Sequence, residues 1–228
     1  MASTAEELHD PTIYPVTDEM GEGSLQRFIS ELLRALIVSH LASEGRRAFV
    51  GANQFIYYEQ HNSKACVAPD VYVLEGVDPD IEVGVWKVWE TGVRPSFALE
   101  VVSGDVYKDY VEVIRRYEAL QPDEVVIFDP KSDEAPDRVR WQVWRTVRGR
   151  FTQVEVSGVV QVRSKALGCW LRCVGSGPAM RIRLAVGPKG AVLVPTGDER
   201  AEAERGRAEA AEREVQALRA ELERLRRG

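Results

Sequence analysis

The sequence predicts a mixed α+β (α/β) domain followed by a separate charged helix, and three observations carry that expectation. A helical apolar repeat (Leu25, Phe28, Ile29, Leu32, Leu33, Leu36, Ile37, Leu41) comes first, β-formers at period two fill the middle, and a second helical segment interrupts them. Helix, strands, helix, strand and further strands make the pattern of a mixed sheet flanked by helices. The 228 residues, 44% hydrophobic and 29% charged, suffice for one core with an extension and lie outside the composition of a disordered chain.

Residues 1–22 hold Pro11 and Pro15 with few periodic apolar positions and read as an irregular N-terminal arm. Gly23 and Ser24 offer a cap, and helix is expected from there to about Ser43. After Gly45, strand is expected at Ala48–Val50, Gln54–Tyr58, Val67–Leu74, Val83–Trp89 and Ser96–Val102. Tyr107–Leu120 reads as the second helix, closed by Pro122, and Val125–Phe128 as a short buried strand ending at Asp129-Pro130. Arg138–Val147 and Phe151–Val156 alternate around Gly149-Arg150 as a hairpin, and its arginines read as a solvated face balanced by nearby acids. Leu167–Val174, Met180–Val186 and Ala191–Val194 complete a domain expected over residues 23–195.

The stretch 198–228 differs in kind, with nine acids and eight arginines. Its large apolar residues, Val215, Leu218, Leu222 and Leu225, step by three, four and three, the a/d seam of a coiled-coil-like helix, which Ala211 and Ala208 extend backwards until Glu204 breaks it. So narrow a stripe suits pairing with another helix, most simply its own copy in a homodimer; the plainer reading is a solvated helix held by Glu–Arg pairs.

The net charge of −6 supplies no global attraction to phosphate, so nucleic-acid binding would need a local patch or a bound metal. No window approaches 18 uncharged apolar residues, and the first residues lack a basic region followed by an apolar one, so neither a membrane partner nor secretion is expected. Cys66, Cys169 and Cys173 are too few for a disulfide framework, and a cytoplasmic location is expected.

Two segments carry chemistry. In Val67-Ala-Pro-Asp-Val-Tyr-Val-Leu74, Pro69 opens a strand and Asp70 stands at its mouth. In Ser96-Phe-Ala-Leu-Glu-Val-Val-Ser103, Glu100 interrupts an apolar strand, where an ionised carboxylate needs a partner. If the strands neighbour each other, the two carboxylates suit Mg²⁺, which binds few protein oxygens and keeps positions for water and phosphate; capping or ion pairing is the other reading.

Those two runs, Lys108-Asp109 with Tyr117 eight residues after the aspartate, and Glu124-Val-Val-Ile-Phe-Asp-Pro130 together resemble the Uma-two family of restriction-endonuclease-like proteins in the PD-(D/E)XK nuclease superfamily. The resemblance covers roughly residues 20–190. It implies a restriction-endonuclease-like core and Mg²⁺-dependent hydrolysis of DNA phosphodiesters, with Asp70 and Glu100 holding the metal as catalytic residues. The superfamily's lysine, two residues after the glutamate, falls on Val102 here, and the alternative place on the next helix falls on Val113. Lys108 is then the nearest ammonium and the catalytic candidate, with Lys87 a weaker choice.

The remaining polar and aromatic residues take plainer roles first. Asn53 reads as a turn residue beside the cleft, Asp109 as a favourable charge at a helix start, and Tyr57, Tyr58, Trp86 and Trp89 as core or rim aromatics. Glu31 occupies the first helix, where some superfamily members place an auxiliary ligand. Two functions follow: a metal-dependent endonuclease acting on DNA, or a catalytically inactive nuclease-like module that binds nucleic acid or protein and oligomerises through its tail.

Overall fold

The computed structural model describes residues 23–103 and 108–227, apart from the side chains of Lys108 and Asp109. The expected arm, residues 1–22, lies outside the described residues. The chain divides into two units, Met1–Leu193 and Val194–Gly228.

The first unit opens with α1 (Ser24–Ser43), as the apolar repeat requires, burying Ile29, Leu33, Leu36, Ile37 and Leu41. Ser24 is the first helical residue rather than a cap; no side chain caps this end, and Gly23 supplies only its carbonyl, to the Arg27 N–H. Gly45, at φ 68°, stops the helix while its N–H bonds the Ala42 carbonyl. Next come β1 (Ala48–Gly51), β2 (Ile56–Tyr57), β3 (Cys66–Val67), β4 (Val71–Glu75), β5 (Trp86–Lys87), α2 (Val88–Thr91) and β6 (Phe97–Val101). A π-helical turn, Lys108–Glu112, leads into α3 (Val113–Leu120), which ends where Gln121 turns to positive φ ahead of Pro122. The unit finishes with β7 (Glu124–Phe128), β8 (Trp141–Val147), β9 (Arg150–Ser157), β10 (Gln161–Arg163), β11 (Trp170–Val174), β12 (Arg181–Val186) and β13 (Val192–Leu193).

These strands form a six-stranded sheet in the order β1-β4-β6-β7-β8-β9, a four-stranded sheet β10-β11-β12-β13 and a three-stranded sheet β3-β2-β5. The central pair β6–β7 is parallel and the other pairs of the six-stranded sheet are antiparallel, so the fold is mixed α+β. A parallel pair needs a crossover, and the segment carrying α3 supplies it. One face of the sheet, with Tyr72, Leu74, Ala98, Val102, Val125 and Ile127, packs against Tyr117 and Leu120 of α3. Helix α1 packs against β1, β4 and β12.

Two expected strands change form. Val67–Leu74 breaks at Pro69: Cys66–Val67 pairs with β2, while Val71–Glu75 joins β1 and β6 in another sheet. Pro69 stands at that change of partner, where its missing N–H costs no ladder bond, and its carbonyl accepts the Asn53 N–H at 2.8 Å. Val83–Trp89 keeps only Trp86–Lys87 as strand, because the chain coils into α2 and turns at Gly92, φ 70°. The hairpin forms, and three of its arginines pair with acids, Arg138 with Asp129, Arg140 with Asp133 and Arg145 with Glu124; their side chains are only 11–18% exposed, so these three do not form the solvated face expected.

All three cysteines are buried, and none is in a disulfide. In the second unit, α4 (Gly197–Arg227) is helical as its composition predicts, with no buried residue. Among the described residues no helix is long and apolar enough to cross a membrane.

Candidate active site

The antiparallel register of β4 and β6 pairs Val71 with Leu99, so the next position along sets Asp70 opposite Glu100. Side chains alternate along a strand, and Asp70 therefore shares a face with Tyr72 and Leu74, as Glu100 does with Ala98 and Val102. That is the face α3 covers. The two carboxylates expected to act together are thus near each other, Asp70 one residue before β4 and Glu100 within β6, thirty positions apart in the chain.

Each is held by donors. Asp70, 3% exposed, accepts the Val101 backbone N–H on Oδ2 at 2.6 Å and the Gln26 side-chain amide on Oδ1 at 2.7 Å. Glu100, partly buried, accepts the Tyr117 hydroxyl on Oε1 at 2.5 Å. Tyr117 is fully buried, and desolvation first, then the Glu100 charge and hydrogen bond, then the Asp70 charge, push its pKa well above the ordinary tyrosine value. The phenol stays protonated and serves as a fixed donor. That both carboxylates act on one buried hydroxyl marks a single electrostatic cluster.

No group of three or more His, Cys, Asp and Glu able to hold a metal occurs among the described residues. Two carboxylates on neighbouring strands are too few for an all-protein cage, but they fit a hard, hydrated divalent cation, which takes one or two carboxylates and completes its shell with water and phosphate oxygen. Each carboxylate oxygen carries more than one acceptor site, so an oxygen that accepts a hydrogen bond can also face a cation.

Neither of the two positions expected for a lysine carries one. Val102 is buried in the core and Val113 packs against the same cluster, so both expected lysine positions are apolar contacts. Lys108 begins the π-helical turn, but its side chain lies outside the described residues. Lys87 bonds Glu90 at 3.2 Å on the three-stranded sheet.

Two residues were missed in the sequence. Gln26 reaches Asp70 from the first turn of α1 across 44 positions, and a glutamine on a helix face carries no signal of that. Tyr110 donates to Asp129 Oδ2 at 2.7 Å, and the Val139 N–H bonds its hydroxyl oxygen at 3.1 Å, so the π-helical turn is tied to the end of β7. Asp129, fully buried, also takes the Arg138 guanidinium in two bonds of 2.7 and 2.8 Å and the Lys131 N–H.

A cleft of about 360 Å³ between α1 and β1 is lined by Arg27, Glu31, Arg34, Phe49, Asn53 and Gln54, and neither Asp70 nor Glu100 is among its lining residues. Glu31 lines this cleft, whereas the α1 side chain that bonds Asp70 is Gln26. Asn53 adopts φ 55°, the turn conformation expected of it, and also lines the cleft.

The family described as "Uma2: Putative restriction endonuclease" matches residues 5–173. No curated protein matches the chain. A crystal structure described as "a putative nuclease belonging to DUF820", from Anabaena variabilis, is similar at 15% identity and a TM-score of 0.47, covering 65% of this chain and 76% of its own.

Proposed function

The chain belongs to the Uma2 family, and from that premise we propose that it is a metal-dependent endonuclease hydrolysing phosphodiester bonds of DNA. The observation supporting this most directly is that Asp70, at the mouth of β4, and Glu100 of β6 both act on the buried Tyr117 hydroxyl of α3.

Asp70 and Glu100 would hold a divalent cation, Mg²⁺ by the chemistry of the donors, and the cation when bound supplies a polarised phosphate and an activated water. The rest of the work falls to the chain. The Val101 N–H and Gln26 fix both oxygens of Asp70, and Tyr117 fixes one of Glu100, so the carboxylates are oriented before substrate arrives. Tyr117 keeps its proton and takes no part as a base. Lys108 is assigned the ammonium that meets charge developing on the phosphate, since Val102 and Val113 cannot.

A second reading, a binding module without turnover, is favoured by the core packing of Val102 and Val113. Supercoiled plasmid with Mg²⁺ or Mn²⁺ separates the two. The unaltered protein is expected to nick or linearise it, and Asp70→Asn and Glu100→Gln to leave it intact while keeping their circular dichroism. DNA bound but uncut with either metal establishes the second reading, and cleavage undiminished in both variants removes Asp70 and Glu100 from the site.

A further inference from the structure

Helix α4 has no buried residue, and its large apolar side chains are open: Val215 46%, Leu218 54%, Leu222 55% and Leu225 67% exposed. In coiled-coil positions, Val215 and Leu222 occupy a, and Leu218 and Leu225 occupy d. The flanking charges are ordered too. Position g holds Arg207, Glu214 and Glu221, and position e five residues later holds Glu212, Arg219 and Arg226. In a parallel, in-register pair of helices each g residue faces the second copy's following e residue, so Arg207 meets Glu212, Glu214 meets Arg219 and Glu221 meets Arg226. Every one of these contacts joins opposite charges, and symmetry repeats each of them.

The antiparallel arrangement that buries the same leucines brings like charges together. With Leu218 set against Leu222 and Val215 against Leu225, Arg219 would face its own copy and Glu221 likewise, against attraction at Glu212–Arg226. We infer that α4 is a homodimerisation element that pairs in parallel and in register over residues 207–226. Before that stretch the seam carries Ala201 and Glu204, and the flanking pair Arg200–Arg205 repels, so pairing stops there. The inference stands apart from phosphodiester hydrolysis and needs no activity to test.

Molar mass is measured by light scattering at micromolar concentration, with two full-length charge variants compared with the unaltered chain. Glu214→Arg/Glu221→Arg puts arginine against arginine in its own dimer, and Arg219→Glu/Arg226→Glu puts glutamate against glutamate. The unaltered chain is expected to be dimeric, each variant alone to dissociate at least tenfold more readily, and an equimolar mixture to recover a dimer, because every altered pair is then opposite in sign. A monomeric unaltered chain overturns the inference, as does a dimer that survives in both variants or a mixture that fails to recover.

Discussion

The Tyr117 hydroxyl reaches Glu100 Oε1 at 2.5 Å from the far side of a crossover, so the one carboxylate inside strand β6 is oriented by the helix that packs over it. The bond also answers how an ionised glutamate stands among Phe97, Leu99 and Val101: its polar end meets a donor on the α3 face while its neighbours on the strand are buried.

Removing that donor has a defined cost. Tyr117→Phe keeps the ring and its packing but frees Glu100 to turn, and losses of this kind run to about 10–100-fold in metal affinity or activity. The expected result is a rise of that size in the Mg²⁺ concentration giving half-maximal cleavage, with the thermal midpoint little changed. Titrating cleavage against Mg²⁺ checks it.

Lys108→Met should lower the cleavage rate more than it weakens DNA binding, because an ammonium that meets developing charge acts on the transition state. Single-turnover rates set against binding measured with the Asp70→Asn variant separate the two quantities. An equal fall in both would make Lys108 a contact to the DNA backbone.

Arg138→Ala leaves Asp129, fully buried, without its guanidinium. A buried charge stripped of its partner costs about 3–5 kcal/mol, and urea unfolding should show a loss of that order. The π-helical turn should loosen with it, since Tyr110 bonds the same carboxylate, and hydrogen exchange at residues 110–112 reports that.

Alkaline pH should unfold the protein before it ionises the folded tyrosines. Desolvation raises Tyr72 and Tyr117 well above the ordinary value, while desolvation and the Asp129 hydrogen bond bring Tyr110 to about 12. Tyrosines in the unfolded chain lose their protons near pH ~10. The unfolded state therefore sheds protons first as pH rises, and the stability these residues contribute is whole below that point and falls above it towards their folded values. Burial also raises the Cys169 and Cys173 thiols, which ionise near pH ~8.5 in the unfolded chain, so thermal midpoints should be level from pH 7 to about 8, fall as the thiols contribute and fall more steeply above pH ~9.5 as the tyrosines do, the last part less steeply in Tyr110→Phe.

What could be read in the sequence was what its periodicity encodes. Helix α1 follows its apolar repeat from Leu25 to Leu41 and ends ahead of Gly45, and Asp70 and Glu100 stood out because each is a carboxylate at or in an apolar strand. Their apposition depends on the β4–β6 register, which no local pattern states. Gln26 and Tyr110 stayed hidden for the same reason, their partners lying 44 and 19 positions away. Strand β10 escaped notice because three residues with one buried side chain, Val162, make no alternation to detect, and β5 was overestimated because Val88 and Trp89 are β-formers that the turn at Gly92 coils into α2.

Glu124, 1% exposed at the start of β7, accepts the Ser164 hydroxyl, the Lys165 N–H at 3.0 Å and the Arg145 guanidinium at 2.6 Å. Ser164 and Lys165 belong to the segment joining β10 to β11 of the four-stranded sheet, so one carboxylate fastens that sheet to the six-stranded one. Peeling the smaller sheet away would leave that buried carboxylate only the Arg145 guanidinium of its own sheet and strip it of the Ser164 and Lys165 donors. Residues 158–193 are accordingly expected to melt together with the six-stranded sheet, and cleavage between the two sheets by a protease is expected to track that same transition.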